Sequence, residues 1–126
     1  MYGNAQQHVP FTGNNSMSYE ECIQAYSDLA AKYPEAMLME MGKSDVGKPI
    51  HLFVINLSRK FNPGMFEKDK AVLLVNNGIH PGEPCGIDAS LLFANDVLSI
   101  PEYRSMLSNT IICIIPVYNV GGALNR

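Results

Sequence analysis

Tryptophan is absent from this 126-residue chain, and histidine and cysteine are scarce, with three of each. An odd number of cysteines cannot pair completely, and all three lie in apolar-patterned segments, at Cys22, Cys85 and Cys113. Buried free thiols are therefore favoured over a disulfide framework or a cysteine metal site. Two histidines carry little functional signal: His8 is expected to be exposed and inert, and His51 to be a satisfied or edge histidine within a strand.

A basic excess and a long apolar run are also missing. Nine basic against twelve acidic residues give a net charge of −3, so nucleic acid is not an expected partner. No apolar run approaches the ~20 residues of a membrane span. The N-terminus has no charged region followed by an apolar core, so no signal peptide is predicted. With 47% hydrophobic and 17% charged residues, the composition is that of a single globular domain.

One stretch carries most of the functional signal, a strand that runs into a turn. The apolar run from Ala71 to Val75 predicts a central strand covered on both faces. Gly78 and then Pro81-Gly82 break that strand, which places His80 and Glu83 on a tight loop just past its C-terminal end. In open α/β sheets this edge is where ligands bind.

The spacing His80-x-x-Glu83 can bring an imidazole nitrogen and a carboxylate to one point, which suits a divalent metal. A catalytic zinc ion keeps three protein ligands and one open position, so the pair is one ligand short. On the tetrapeptide alone, a loop histidine beside a helix-capping glutamate is an equally good interpretation. Cys85 lies two residues after Glu83 and is the nearest further donor.

The remaining elements follow from periodicity and turn residues. Residues 1–17 are polar and broken by proline and glycine, which indicates an N-terminal arm, and the domain is expected over residues 18–126. A capping box at Ser18 opens an amphipathic helix that ends before Pro34. A hairpin follows, with strands over 37–41 and 50–57.

A helix is predicted from Pro84 to about Ser99, with a short second helix over 101–107. The apolar segment 110–117 then predicts a second inner strand, parallel to the first. His80, Glu83 and the Asn119–Gly122 turn are therefore expected to face one crevice.

Three segments resemble motifs of a known family. Asn77–Gly86 resembles the first zinc-binding segment of the zinc metallocarboxypeptidases of the carboxypeptidase A/B type, especially their bacterial members. Gly42–Ile50 resembles the family's Gly-x-Ser-x-x-Gly-(Arg/Lys)-x-Ile hairpin, and Pro116–Gly122 resembles its Pro-x-x-Asn-x-x-Gly segment. The motifs occur in the family's order and cover about residues 18 to 126.

The resemblance implies an α/β fold, a mixed sheet with helices on both faces in a three-layer α/β/α domain, of which this chain is an incomplete, N-terminal portion. It implies a zinc cofactor held by His80 and Glu83, with a third ligand, a histidine, beyond residue 126. The family's general-base glutamate is also expected beyond residue 126, so no catalytic residue is assigned here. The Asn125-Arg126 pair is not equated with the family's substrate-carboxylate pair.

The activity implied is zinc-dependent hydrolysis of a peptide bond at a C-terminal residue, with the 126-residue chain inactive alone. Gly82 stands where animal digestive members commonly have an arginine, so cell-wall peptides remain open as substrates. The resemblance favours a secreted or periplasmic location. Because segments 71–77 and 110–117 are apolar on both faces, self-association through an exposed sheet strand, 110–117, is also expected.

Two alternatives stay open. One is a related zinc acyl-amide hydrolase of the aspartoacylase or succinylglutamate desuccinylase kind, which shares a His-x-x-Glu segment. The other is a non-catalytic binding domain of the same fold. The segment Pro116–Gly122 favours the peptidase over the acyl-amide hydrolase.

Overall fold

The computed structural model describes residues 15–125. Most of the predicted arm, His8 and Arg126 lie outside the described residues. The helices and strands are α1 (Tyr19–Lys32), β1 (Ala36–Lys43), β2 (Pro49–Ile55), β3 (Ala71–Asn76), α2 (Cys85–Ser99), α3 (Pro101–Arg104), β4 (Thr110–Ile115) and α4 (Val120–Leu124). Two 3-10 turns, Pro63–Met65 and Ser105–Ser108, lie between them.

The N-terminus of α1 has the capping box that the sequence predicts. The Ser18 hydroxyl accepts from the Glu21 backbone N–H at 3.2 Å, and the Glu21 carboxylate accepts from the Ser18 backbone N–H at 2.8 Å. Two backbone donors that would otherwise lack a helical partner are thereby satisfied. Just before this cap, Met17 is buried and its backbone N–H donates to Asp88 on α2.

The described strands form one mixed sheet in the order β1-β2-β4-β3. The hairpin prediction is confirmed, because β1 and β2 pair antiparallel. The strand-helix-strand prediction is also confirmed, because β3 and β4 pair in parallel from Ala71–Thr110 to Asn76–Ile115. The carboxyl ends of β3 and β4 therefore lie together at one edge of the sheet.

The prediction that the strand Ala71–Val75 is central was wrong. β3 is an edge strand, paired only with β4 among the residues described, and its apolar side chains are largely exposed: Val72 by 52%, Leu73 by 45% and Leu74 by 58%. The inner strand is instead β4, whose residues Ile111–Ile114 are buried between β2 and β3. The strand expected to be exposed, 110–117, is thus the covered one. Composition could not decide this, because both strands are equally apolar and only the pairing order distinguishes them.

Two apolar clusters cover the two faces of the sheet. On one face α1, α2 and α4 pack against side chains of β2 and β4, namely Phe53, Ile55, Ile112 and Ile114. On the other face Leu52, Val54, Ile111 and Cys113 pack with Phe61 and Phe66 of the segment that follows β2. The fold is α/β with a mixed sheet, as predicted. In the described part of the chain, no helix has the length and hydropathy needed to cross a bilayer.

No disulfide joins the three cysteines, which all lie within the described residues, and two of the three are buried. Cys22 and Cys113 lie in the core, where burial raises the pKa of the Cys113 thiol because the thiolate would be poorly solvated. Cys85 is exposed, which corrects the expectation for that residue. It is the first residue of α2.

Candidate metal centre

A single turn after β3 carries the two candidate ligands. The chain leaves the strand through Gly78, whose φ of +64° belongs to the left-handed region that favours glycine. The Glu83 backbone N–H then donates to the His80 carbonyl at 3.0 Å and closes a four-residue turn. The ends of that turn are His80 and Glu83, so their side chains start from neighbouring backbone positions.

The two side chains point to a common space. His80 Nδ1 lies 3.7 Å from Glu83 Oε2, and both side chains are about three-quarters exposed, at 76% and 75%. This distance exceeds that of a hydrogen bond. Two donors each about 2.1 Å from a tetrahedral zinc ion stand about 3.4 Å apart, so the pair fits a shared metal with little adjustment. A nitrogen and a carboxylate oxygen are also donors that zinc prefers.

Backbone hydrogen bonds fasten this loop to the turn after β4. Tyr118 N–H donates to the Asn77 carbonyl at 2.8 Å, and Asn119 N–H donates to the Gly78 carbonyl at 3.1 Å. The Asn119 side chain adds a bond from Nδ2 to the Ile79 carbonyl at 3.4 Å, while its Oδ1 accepts from the Gly122 N–H at 2.9 Å. The two turns therefore lie side by side at one edge of the sheet.

The hairpin turn between β1 and β2 reaches the same edge of the sheet. A Cβ at Gly121 would overlap the Asp45 carboxylate, so the Asp45 side chain approaches the Gly121 backbone closely and would have to move for a larger residue. Gly122 packs closely against the loop of residues 78–83, here called the metal loop, because an added Cβ would lie 2.5 Å from Pro81 Cγ. The three segments that resemble family motifs thus meet around one point, with the two glycines between them.

Within residues 15–125 no group of three histidine, cysteine, aspartate or glutamate side chains converges on a metal-binding point. Neither Cys85 nor His51 therefore joins His80 and Glu83. His51 is instead buried, opposite Glu40 in the β1–β2 register, and its Nδ1 has no hydrogen-bond partner among the described atoms. The expectation of a satisfied histidine does not hold for that nitrogen.

Three residues near the site were not singled out from the sequence: Asn77, Ser90 and Asp45. Asn77 is buried directly behind the metal loop and bonds to Ser90 of α2. Its signal was present, since an asparagine that follows an apolar strand and precedes a glycine is typical of a turn. Ser90 and Asp45 had no such signal, because their partners are distant in sequence.

The chain matches one family model and a set of solved structures. The model of the zinc carboxypeptidase family, peptidase M14, matches residues 22–124. No curated protein matches the chain at a significant level. Among solved structures, carboxypeptidase A of Helicoverpa armigera is 24% identical with a TM-score of 0.76, over 88% of this chain and 26% of its own.

Two further structures are similar. Bovine thrombin-activatable fibrinolysis inhibitor, solved in complex with tick carboxypeptidase inhibitor, is 20% identical with a TM-score of 0.71, over 87% of this chain and 33% of its own. A metallo-carboxypeptidase from Burkholderia cenocepacia is 18% identical with a TM-score of 0.69, over 86% and 29%. These likenesses show the fold, and this chain spans a third or less of the length of each structure. Since the family model matches residues 22–124, well over half of the chain, the protein belongs to the zinc carboxypeptidase family, peptidase M14.

Proposed function

We propose that this chain supplies two zinc ligands, His80 and Glu83, of a metallocarboxypeptidase that hydrolyses the peptide bond at a C-terminal residue. The observation that carries the proposal is the 3.7 Å approach of His80 Nδ1 to Glu83 Oε2 on an exposed turn at the carboxyl edge of β3. Nδ1 is the imidazole nitrogen nearer to the carboxylate, so it is the proposed donor to the metal.

When bound, zinc polarises the scissile carbonyl and lowers the pKa of a coordinated water. The residues of this chain hold and orient that centre. The His80–Glu83 turn fixes the spacing of the two donors, and the Asn119 turn fixes the position of the loop relative to β4. The third ligand and the general base are proposed to lie beyond residue 126.

The proposed substrates are peptides with a free C-terminal carboxylate, including cell-wall peptides. Gly82 supports the broader range, because a Cβ at this position would meet no atom within 4 Å in the described structure. The space beside Glu83 is therefore open rather than filled by a side chain. A secreted or periplasmic location is proposed with this substrate class, and fractionation of cells that produce the tagged protein tests it.

We also propose that the isolated chain self-associates through β3, the exposed edge strand, rather than through β4. The support is the exposure of its three central side chains, Val72, Leu73 and Leu74.

The ligand assignment is tested by titrating the purified chain with zinc and following the His80 imidazole resonances by NMR. Zinc is expected to shift these resonances with weak affinity, since two ligands hold the ion less tightly than three. Glu83→Ala should abolish the saturable shift of these resonances, and His80→Ala should abolish zinc binding measured by calorimetry. Glu102→Ala, which removes an exposed carboxylate from α3, is the matched control and should bind zinc as the wild type does.

Tight one-to-one zinc binding that survives both ligand substitutions would show that the ligands lie elsewhere. Cys85 and His51 would then be the first residues to replace.

Activity gives a second prediction. The 126-residue chain should not hydrolyse blocked dipeptides with a free C-terminal carboxylate. Residues 15–125 bring no third ligand to His80 and Glu83, no general base is assigned, and a positioned base is typically worth ~10²–10⁴ in rate. Zinc-dependent turnover by the purified chain, absent from His80→Ala, would contradict this expectation and would place a complete site within these residues.

A further inference from the structure

A buried asparagine stands directly behind the metal loop. Asn77 is 7% exposed, follows the last residue of β3 and precedes His80 by three positions. A buried side-chain amide costs free energy unless its polar atoms are bonded, whereas an apolar residue would continue the preceding run at no such cost. The amide must therefore be held by specific partners.

Those partners belong to two different elements. Asn77 Nδ2 donates to the Ile115 carbonyl at the end of β4, at 3.3 Å, and Asn77 Oδ1 accepts from the Ser90 hydroxyl of α2, at 3.0 Å. The orientation of the amide is determined by chemistry, because a carbonyl oxygen can only accept and must face the NH₂ group. Gly86 leaves the room for this arrangement, since a Cβ there would lie 3.3 Å from Asn77 Oδ1.

The backbone of Asn77 is held as firmly as its side chain. Its N–H donates to the Ile115 carbonyl at 3.1 Å, and its own carbonyl accepts from Tyr118 N–H at 2.8 Å. Asn77 thus joins β3, β4 and α2 at the point where the chain enters the turn. The carbonyls of the next two residues, Gly78 and Ile79, accept hydrogen bonds from the backbone N–H and the side-chain Nδ2 of Asn119.

The exposed ligands have no comparable support of their own. His80 and Glu83 are each about three-quarters exposed, and their turn is closed by one backbone bond between them. Their position relative to the sheet is therefore set by the residues immediately before them. Of these, only Asn77 places a buried polar side chain between β4 and α2 in the described structure.

We infer that Asn77 is a positioning residue, which holds the His80–Glu83 turn in its metal-binding geometry through its hydrogen bonds to Ser90 and Ile115. The inference rests on the proposed zinc site. Ser90, on the helix that follows the loop, thereby helps to hold His80 and Glu83 in place through Asn77, although it contacts neither ligand.

The test compares zinc affinity, backbone exchange and thermal stability in one set of variants. Ser90→Ala removes the donor to Asn77 Oδ1 and should weaken zinc binding, followed at the His80 resonances, by roughly 10-fold, as loss of outer-shell support does in metal sites. It should also speed hydrogen exchange of the amides of residues 79–83. Ser90→Thr keeps the hydroxyl and should restore both properties. Ser99→Ala is the matched control, because Ser99 is exposed at the end of the same helix.

A second variant separates the two bonds. Asn77→Asp preserves shape and the acceptor for Ser90 but replaces the donor to Ile115 with an oxygen, and it should loosen the turn in the same two measurements. A lower melting temperature for Ser90→Ala with unchanged zinc affinity and unchanged exchange at 79–83 would overturn the inference and leave Asn77 a residue of the fold alone. Failure of the wild type to bind zinc at His80 would instead refute the proposed site. Hydrogen exchange of the amides of residues 79–83 would still show whether the bonds of Asn77 to Ser90 and Ile115 hold the turn.

Discussion

At the residue scale, burial changes the pKa of His51. Burial lowers the pKa of its imidazole below the ordinary 6.5, and the carboxylate of Glu40, its cross-strand partner, opposes the shift only in part. The centroid of the Tyr19 ring lies 6.5 Å from that of the imidazole. The Tyr19 hydroxyl donates to the Pro49 carbonyl at 2.8 Å. The neutral imidazole is therefore the form that the folded protein accommodates.

This environment predicts a stability that depends on pH. Because the pKa of His51 is lower in the folded than in the unfolded chain, the unfolded state takes up a proton first as the pH falls below 6.5. The contribution of the neutral histidine is present above that pH and is lost as the pH falls through the folded pKa. Urea unfolding at a series of pH values between about 5 and 8 should show this loss in the wild type and a flatter profile in His51→Gln. Identical profiles would contradict the prediction.

At the element scale, capping hydrogen bonds and a glycine conformation decide where individual helices and strands begin or end. The Ser18 capping box starts α1, the glycine conformation at Gly78 ends β3, and the Asn119 side chain starts the short α4 by accepting from Gly122 N–H. Each device uses a side chain or glycine within three residues of the backbone group it serves. Local devices of this kind are readable from sequence, and the predicted helix start at Ser18 and strand end at Gly78 are confirmed.

The capping box gives a prediction for α1. Ser18→Ala removes the acceptor for the Glu21 N–H and should lower the free energy of unfolding by about 1 kcal/mol, the usual cost of losing such a cap. Chemical denaturation followed by circular dichroism measures the change. Ser27→Ala makes the same substitution at an exposed position inside α1 and should be neutral or slightly stabilising, because alanine is the better helix former. Equal effects of the two substitutions would show that the cap contributes nothing.

At the scale of the whole molecule, the two edges of the sheet differ in their protection. β1 carries Glu40 and Lys43 and has a register shift between Glu40 and Gly42, and charges and bulges are the usual means of blocking edge-to-edge pairing. β3, Ala71–Asn76, has no charged residue, no proline and no bulge along its pairing with β4. An apolar edge strand without charges, proline or a bulge is a template for pairing with another chain.

The isolated chain is therefore expected to self-associate through β3. Sedimentation across a concentration series should show reversible assembly, and Leu74→Lys should shift it toward the monomer by placing a charge on the exposed strand. Met41→Lys is the matched control, since Met41 is 55% exposed on the opposite edge strand. A cooperative, well-folded monomer at micromolar concentration in the wild type would contradict the prediction.

How much of the molecule could be predicted from sequence depended on the distance between interacting residues. The helix α1, the β1–β2 hairpin and the parallel pairing of the two apolar strands were predictable from periodicity and turn residues. The order β1-β2-β4-β3 was not, because hydrophobic pattern reports the apolarity of a strand and not its neighbours. For the same reason the central and exposed positions of β3 and β4 were predicted the wrong way round.

The sequence by itself determined the identity of the candidate ligands, His80 and Glu83, and their place on a turn after an apolar strand, because a four-residue turn is specified by its own residues. The tertiary structure alone decided what surrounds that turn. Ser90 and Ile115 bond to Asn77 before the turn, and Asn119 bonds to the Ile79 carbonyl. Asp45 lies against Gly121 of the neighbouring turn. All of these contacts join segments that are distant along the chain, and those of Asn77 exist only once β3 and β4 pair and α2 packs beside them. Hydrogen bonds and close approaches between distant segments depend on the register of the whole sheet, which no local pattern encodes.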